Sequence, residues 1–273
     1  MRPFASFLAV FLIAATSLFA QESEREALAR EMLLLNGFDT LTEDVSRGLQ
    51  NPSDQLRREN PEMAAAWARI GPRFFAPEPL FDSAVEHLAE TASADELQML
   101  ADFFSTELGA RVTELEVASQ APEMEEVDKV ALGERLLEEM ENAEARREVL
   151  ERLGSAFGSE EANAAVMLNI RYALLSSLAA EGQGAMPEGD LLSFVMRDHD
   201  DLVSELERES IYRYAFVYQD LSDDEVARYA ALLETDAGRK LYAAVNRALE
   251  VEIVGEIRRF GTLLGTALRA EDI

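Results

Sequence analysis

Two stretches of the chain carry one helical signature. Residues 93–112 (SADELQMLADFFSTELGARV) and 222–241 (SDDEVARYAALLETDAGRKL) align without gaps at a shift of 129 residues. Six positions are identical: Ser93/Ser222, Asp95/Asp224, Glu96/Glu225, Ala101/Ala230, Thr106/Thr235 and Gly109/Gly238. Each stretch opens on a capping box, in which the serine and the glutamate three residues later satisfy each other's backbone N–H groups. A helix of about three turns follows, burying Phe103 and Phe104 in one copy and Leu232 and Leu233 in the other. Thr106 and Thr235 then cap a second helix. The glycine in its first turn, Gly109 or Gly238, lets two backbones approach closely. Every matched position reads as cap, turn or core, so the repeat is a fold signature rather than an active site.

Elsewhere apolar residues recur every three to four positions and strand-like alternation is nearly absent. The prediction is an all-α bundle of roughly nine to eleven helices, with two related halves packed together. Residues 21–121 form the first unit and 154–273 the second, joined by one long charged helix over 122–153. In that helix Leu136, Leu137, Met140, Ala143, Leu150 and Leu153 face inward, while Glu134, Glu138, Glu139 and Arg146 face water. Asn60-Pro61 marks another helix start. Loops fall at 50–53, around Gly71-Pro72, at 154–158 and at the glycine-rich 182–189. Tyr212, Tyr214, Phe216 and Tyr218 alternate at period two, as in a strand. Ile211, Tyr214, Val217, Tyr218 and Leu221 nevertheless fit one helical face, and no neighbouring segment offers a partner strand, so the segment reads as helix.

The first 20 residues read as an export signal. Arg2 gives the positive start, Phe7 to Ala15 is an unbroken apolar run, and small residues lead to Ala20 as the last residue before cleavage. The run is shorter than a membrane span and ends in acid at Gln21-Glu22-Ser23-Glu24, which favours cleavage over a retained anchor. The chain is then periplasmic or secreted. There are no cysteines, so disulfides and thiol chemistry are excluded. The net charge is −28. Such a field repels phosphate backbones and anionic headgroups, which disfavours nucleic-acid and membrane-surface partners.

The pattern S/T-x-x-E-φ-x-x-φ-x-x-F-φ-x-S/T-x-x-G resembles the core signature of domain-of-unknown-function family 2059. Ser93, Glu96, Phe103, Phe104, Ser105, Thr106 and Gly109 carry the likeness. The second copy departs from it, with Leu232-Leu233 in place of the aromatic pair. The resemblance implies an exported bacterial all-helical protein and brings no catalytic residue.

Candidate chemistry is sparse. Glu209-Ser210 on a helix resembles the acid of lytic transglycosylases, which makes Glu209 the one candidate general acid. The downstream segment that such enzymes need does not occur. Asp198-His199-Asp200-Asp201 invites a calcium-loop reading, with Asp200 and Glu209 at ligand positions. Leu202 and Val203 spoil that loop where a ligand and a glycine are required, and no metal or other cofactor is assigned. Trp67, Phe74, Phe75 and Phe81 read as core. Tyr212, Tyr214, Phe216 and Tyr218 carry more polar tips than a core needs and form the preferred face for a ligand or partner. The expected activity is non-enzymatic binding of a peptide, protein partner or apolar ligand between the repeats. A cell-envelope hydrolase using a carboxylate is the alternative.

Overall fold

The computed structural model describes residues 21–124, 127–158, 160–182 and 187–271. The stretch 1–20, read as an export signal, and the middle of the glycine-rich loop therefore lie outside the described residues. Among those residues the fold is all-helical, as predicted, and contains no strand. The helices are α1 (21–35), α2 (Phe38–Gln50), α3 (Asp54–Glu59), α4 (Pro61–Ile70), α5 (Pro77–Thr91), α6 (Ala94–Phe104) and α7 (Glu107–Gln120). They continue as α8 (Lys129–Glu139), α9 (Ala143–Phe157), α10 (Glu160–Ala180), α11 (Glu188–Met196) and α12 (His199–Val217). The chain ends in α13 (Asp223–Leu233), α14 (Asp236–Ala248) and α15 (Val254–Glu271), the last two joined by one π-helical turn over Leu249–Ile253.

Both copies of the signature fold alike. Ser93 and Ser222 close capping boxes, with each serine N–H donating to its glutamate at 2.8 Å. Thr106 accepts from Gly109 N–H, and Thr235 from Gly238 N–H, both at 3.1 Å. A Cβ on Gly109 would stand 2.1 Å from the carbonyl oxygen of Phe103, and one on Gly238 would stand 2.5 Å from that of Leu232. The glycines are therefore dictated by helix-to-helix approach rather than by backbone conformation. Phe104 and Leu233 are buried. Phe103 is half-buried and stacks on Tyr229 of the other copy at 5.9 Å between ring centres.

The two signature segments make reciprocal contacts. Glu96 of α6 pairs with Lys240 of α14, and Glu225 of α13 pairs with Arg111 of α7. The shift that carries Glu96 onto Glu225 carries Arg111 onto Lys240, so exchanging the copies turns one ion pair into the other. That is the contact rule of an isologous interface. The core is continuous across both halves, and Phe260 of α15 packs against Trp67, Phe74 and Phe75 of the first unit. Trp67 donates its indole N–H to the Leu49 carbonyl, and this aromatic group is core as predicted.

Two predictions are corrected. The segment 122–153 is two helices rather than one, with Met140 in extended conformation between them. The break lets α8 lie along α12 while α9 lies on α13, surfaces that one straight rod could not follow together. Asn142 fastens the turn by donating to Asp223 at 2.8 Å. Arg146, read as facing water, is only 1% exposed. Its guanidinium donates to the carbonyls of Tyr218 and Leu221 and to Asp223, so it ties α9 to the junction between α12 and α13.

Candidate functional site

The copies pack unequally. α14 lies along α5, whereas α7, its counterpart, meets α12 over only a few residues. On this looser side a cavity of about 520 Å³ opens between α2, α7, α12 and α14. Its walls include Phe38, Leu41, Val117, Phe157, Val217 and Val245. This size and apolar lining suit a small ligand.

Glu116 of α7 supplies the cavity's unusual charge. Residues Leu108, Val112 and Glu116 follow one another at four-residue steps, so the carboxylate occupies the next position of the stripe that Leu108 and Val112 bury. Its counterpart in the second copy is Val245, on the stripe Ala237, Leu241 and Val245. The hydroxyls of Tyr218 and Tyr229 donate to the same oxygen, Glu116 Oε1, at 2.6 and 3.0 Å. Among the described residues no donor reaches Oε2. Tyr229 has a single proton and gives it to Glu116, so Tyr242, 3.2 Å away, must be the donor of the phenol–phenol bond. Phe157 stands edge-on to Tyr242 and Tyr229, at 5.0 and 6.0 Å between ring centres.

Burial pushes the Glu116 carboxyl up to about 7, outweighing the two phenol hydrogen bonds that favour its charged form. Burial, and then the negative charge of Glu116, hold the hydroxyls of Tyr218, Tyr229 and Tyr242 well above the usual tyrosine range. The tyrosines therefore stay neutral donors.

The turn between α1 and α2 forms another part of the wall. Gly37 takes φ 74° there, and a Cβ on it would meet Val117 at 2.8 Å. Thr113 fastens the turn by donating to the Leu35 carbonyl. Asn36 lines the cavity beside it, and its Oδ1 is buried with no hydrogen-bond partner among the described residues.

The predicted tyrosine row is divided by the helix. Tyr214 and Tyr218, four residues apart, line the cavity. Tyr212 instead lies under the Arg147 guanidinium at 5.6 Å, and Phe216 is half-buried outside the cavity lining. Glu209 is not among the lining residues either, and its carboxylate accepts from Arg213 one turn on, at 2.8 Å. His199 lies 2.9 Å from its neighbour Asp200, and among the described residues no three His, Asp or Glu side chains converge as metal ligands.

No protein-family model, curated protein or solved structure matches the chain.

Glu116, Asn36, Phe157, Tyr229 and Tyr242 are missing from the sequence-derived candidates. One signal for Glu116 does exist in the sequence. Extending the repeat alignment four residues past Val112 and Leu241 sets an acid against Val245 at a position that the helical stripe buries.

Proposed function

We propose that this chain is an exported, non-enzymatic helical protein that binds a small, mainly apolar ligand between its two repeats. One observation carries the reading: a cavity of about 520 Å³, lined by both α7 and α14, has largely apolar walls around the hydrogen-bonded Glu116. The signature's likeness to family 2059 and the signal-like residues 1–20 support an exported setting. No helix among the described residues is long and apolar enough to cross a membrane. The acidic surface argues against nucleic acid as the ligand.

The test is saturable binding of N-phenylnaphthylamine, a neutral apolar probe that brightens out of water. Wild type should bind it at a single site. Val117→Phe, which sets a ring into the cavity, should weaken that binding at least about tenfold, while Leu263→Phe on the exposed face of α15 should not. Unchanged affinity in Val117→Phe would refute the assignment.

A carboxylate hydrolase is the second reading, and Glu116 rather than Glu209 is the residue that favours it. An acid raised toward neutrality in a cleft is the form a general acid takes. Release of soluble fragments from peptidoglycan by wild type, but not by Glu116→Gln, would establish that reading.

A further inference from the structure

The polar groups of the cavity are unbalanced in a way that selects among ligands. Tyr218 spends its hydroxyl proton on Glu116, and Tyr242 spends its own on Tyr229. Arg213 donates to Glu209, and Asn163 donates to Glu160 at 3.0 Å. Thr40 and Gln120 on the walls can donate or accept alike, which leaves two acceptor-only atoms among the lining residues. Glu116 Oε2 and the buried Asn36 Oδ1 meet no donor among the described residues. Asn36 Oδ1 is a buried acceptor without a donor, which is costly, and a ligand N–H that donates to it recovers that cost.

The charges point the same way. Asp44 also lines the cavity but is paired with Arg47 at 2.7 Å, whereas among the described residues no cationic side chain pairs with Glu116. The chain's net charge of −28 favours the approach of cations and repels anions. Phe157, Tyr214, Tyr218 and Tyr242 stand around the same space. Ring centres are 5.4 Å apart for Phe157 and Tyr214, and 6.4 Å apart for Tyr214 and Tyr218. Aromatic faces grouped in this way attract a cation and pack against its apolar part.

We infer that the cavity takes an organic cation, a protonated amine on an apolar body, whose N–H groups meet Glu116 and Asn36. The inference deepens the proposed binding role and rests on it. Burial of Glu116 acts in the same sense, because a carboxyl held near neutrality by its surroundings gains most from a bound positive charge.

Matched competitors for bound N-phenylnaphthylamine test this: hexylamine, hexanol and hexanoate, on the full chain at about pH 7.5, where the amine is charged. Hexylamine should displace the probe at a concentration at least about tenfold below that of hexanol, with hexanoate weakest. Glu116→Gln keeps an acceptor for both phenols and should bring the amine and the alcohol within about threefold of each other. Asn36→Ser should weaken the amine more than the alcohol. Hexanol or hexanoate matching the amine on wild type, or an unchanged amine preference in Glu116→Gln, would overturn the inference and leave the cavity assignment standing. Failure of the probe itself to bind would overturn both.

Discussion

Lys240 Nζ lies 2.7 Å from both carboxylate oxygens of Glu96, the residue that closes the first capping box. The Lys240 hydrogen bond and then the Ser93 N–H hold the Glu96 carboxyl down to about 2. Its stabilising contribution is therefore present above the ordinary carboxylate value and is lost only as pH falls toward about 2. The pair is partly exposed, so Lys240→Met should cost about 1 kcal/mol or less. Glu96→Ala removes the cap as well and should cost about 1–2 kcal/mol in urea unfolding. Arg111→Met should shift stability in the same direction as Lys240→Met. If Lys240→Met proved as costly as Glu96→Ala, the capping role would be contradicted.

Gly109→Ala and Gly238→Ala should reverse the usual sign of glycine replacement in a helix. Alanine normally gains about 1 kcal/mol there. At these two positions the new methyl would press on the end of the preceding helix, and a loss of about 1–3 kcal/mol is expected. Gly255, with open space around its Cβ position, provides the control. Gly255→Ala should stabilise by about 0.5–1 kcal/mol, measured as a shift in urea midpoint.

Arg146→Met should be among the most damaging single changes to a charged residue. It removes three hydrogen bonds from the junction ahead of α13 and strands the carbonyl of Leu221, while that of Tyr218 keeps only the Leu221 N–H. The expected cost is about 3 kcal/mol or more. Arg135→Met, at an exposed position of α8, should stay within about 0.5 kcal/mol of wild type.

The features legible in the sequence are those fixed within a few residues of chain. Ser93 with Glu96, Thr106 with Gly109, and their second-copy counterparts are local hydrogen-bond units, and they form as the residue types dictate. The helical reading of the segment through Tyr212 and Tyr218 succeeds for the same reason, since a four-residue period outweighs a short alternation. Arg146 was not legible, and Glu116 only as an acid on a stripe that should be buried, because what surrounds them is set by tertiary packing. Arg146 is buried by a junction more than 70 residues away in sequence, and Glu116 by phenols more than 100 away. The break at Met140 carries no proline or glycine and follows from the two surfaces that α8 and α9 cover.

Ionisation of Glu116 should set a pH dependence of stability that Glu116→Gln lacks. The folded carboxyl titrates at about 7, above its usual 4.5, so the fold favours the neutral form. The contribution is fully present below about 4.5 and is lost as pH rises through about 7. The groups facing it are the phenols of Tyr218, Tyr229 and Tyr242, which remain neutral across this window, with Asp44 and Arg213 on the wall, each already paired. Between pH 5 and 7.5, wild type should lose stability relative to Glu116→Gln, by at most about 3 kcal/mol. Parallel urea-stability curves for the two proteins would contradict the burial of this carboxyl.

Methyl NMR of the full chain during titration with N-phenylnaphthylamine tests the binding cavity most directly. Saturable shifts are expected, confined to Leu41, Val117, Val217, Leu241 and Val245, which line the cavity. Leu192 and Val251, exposed on other helices, should stay still. Shifts centred on Leu192 or Val251, or saturation with no change at Val117 and Val245, would contradict it.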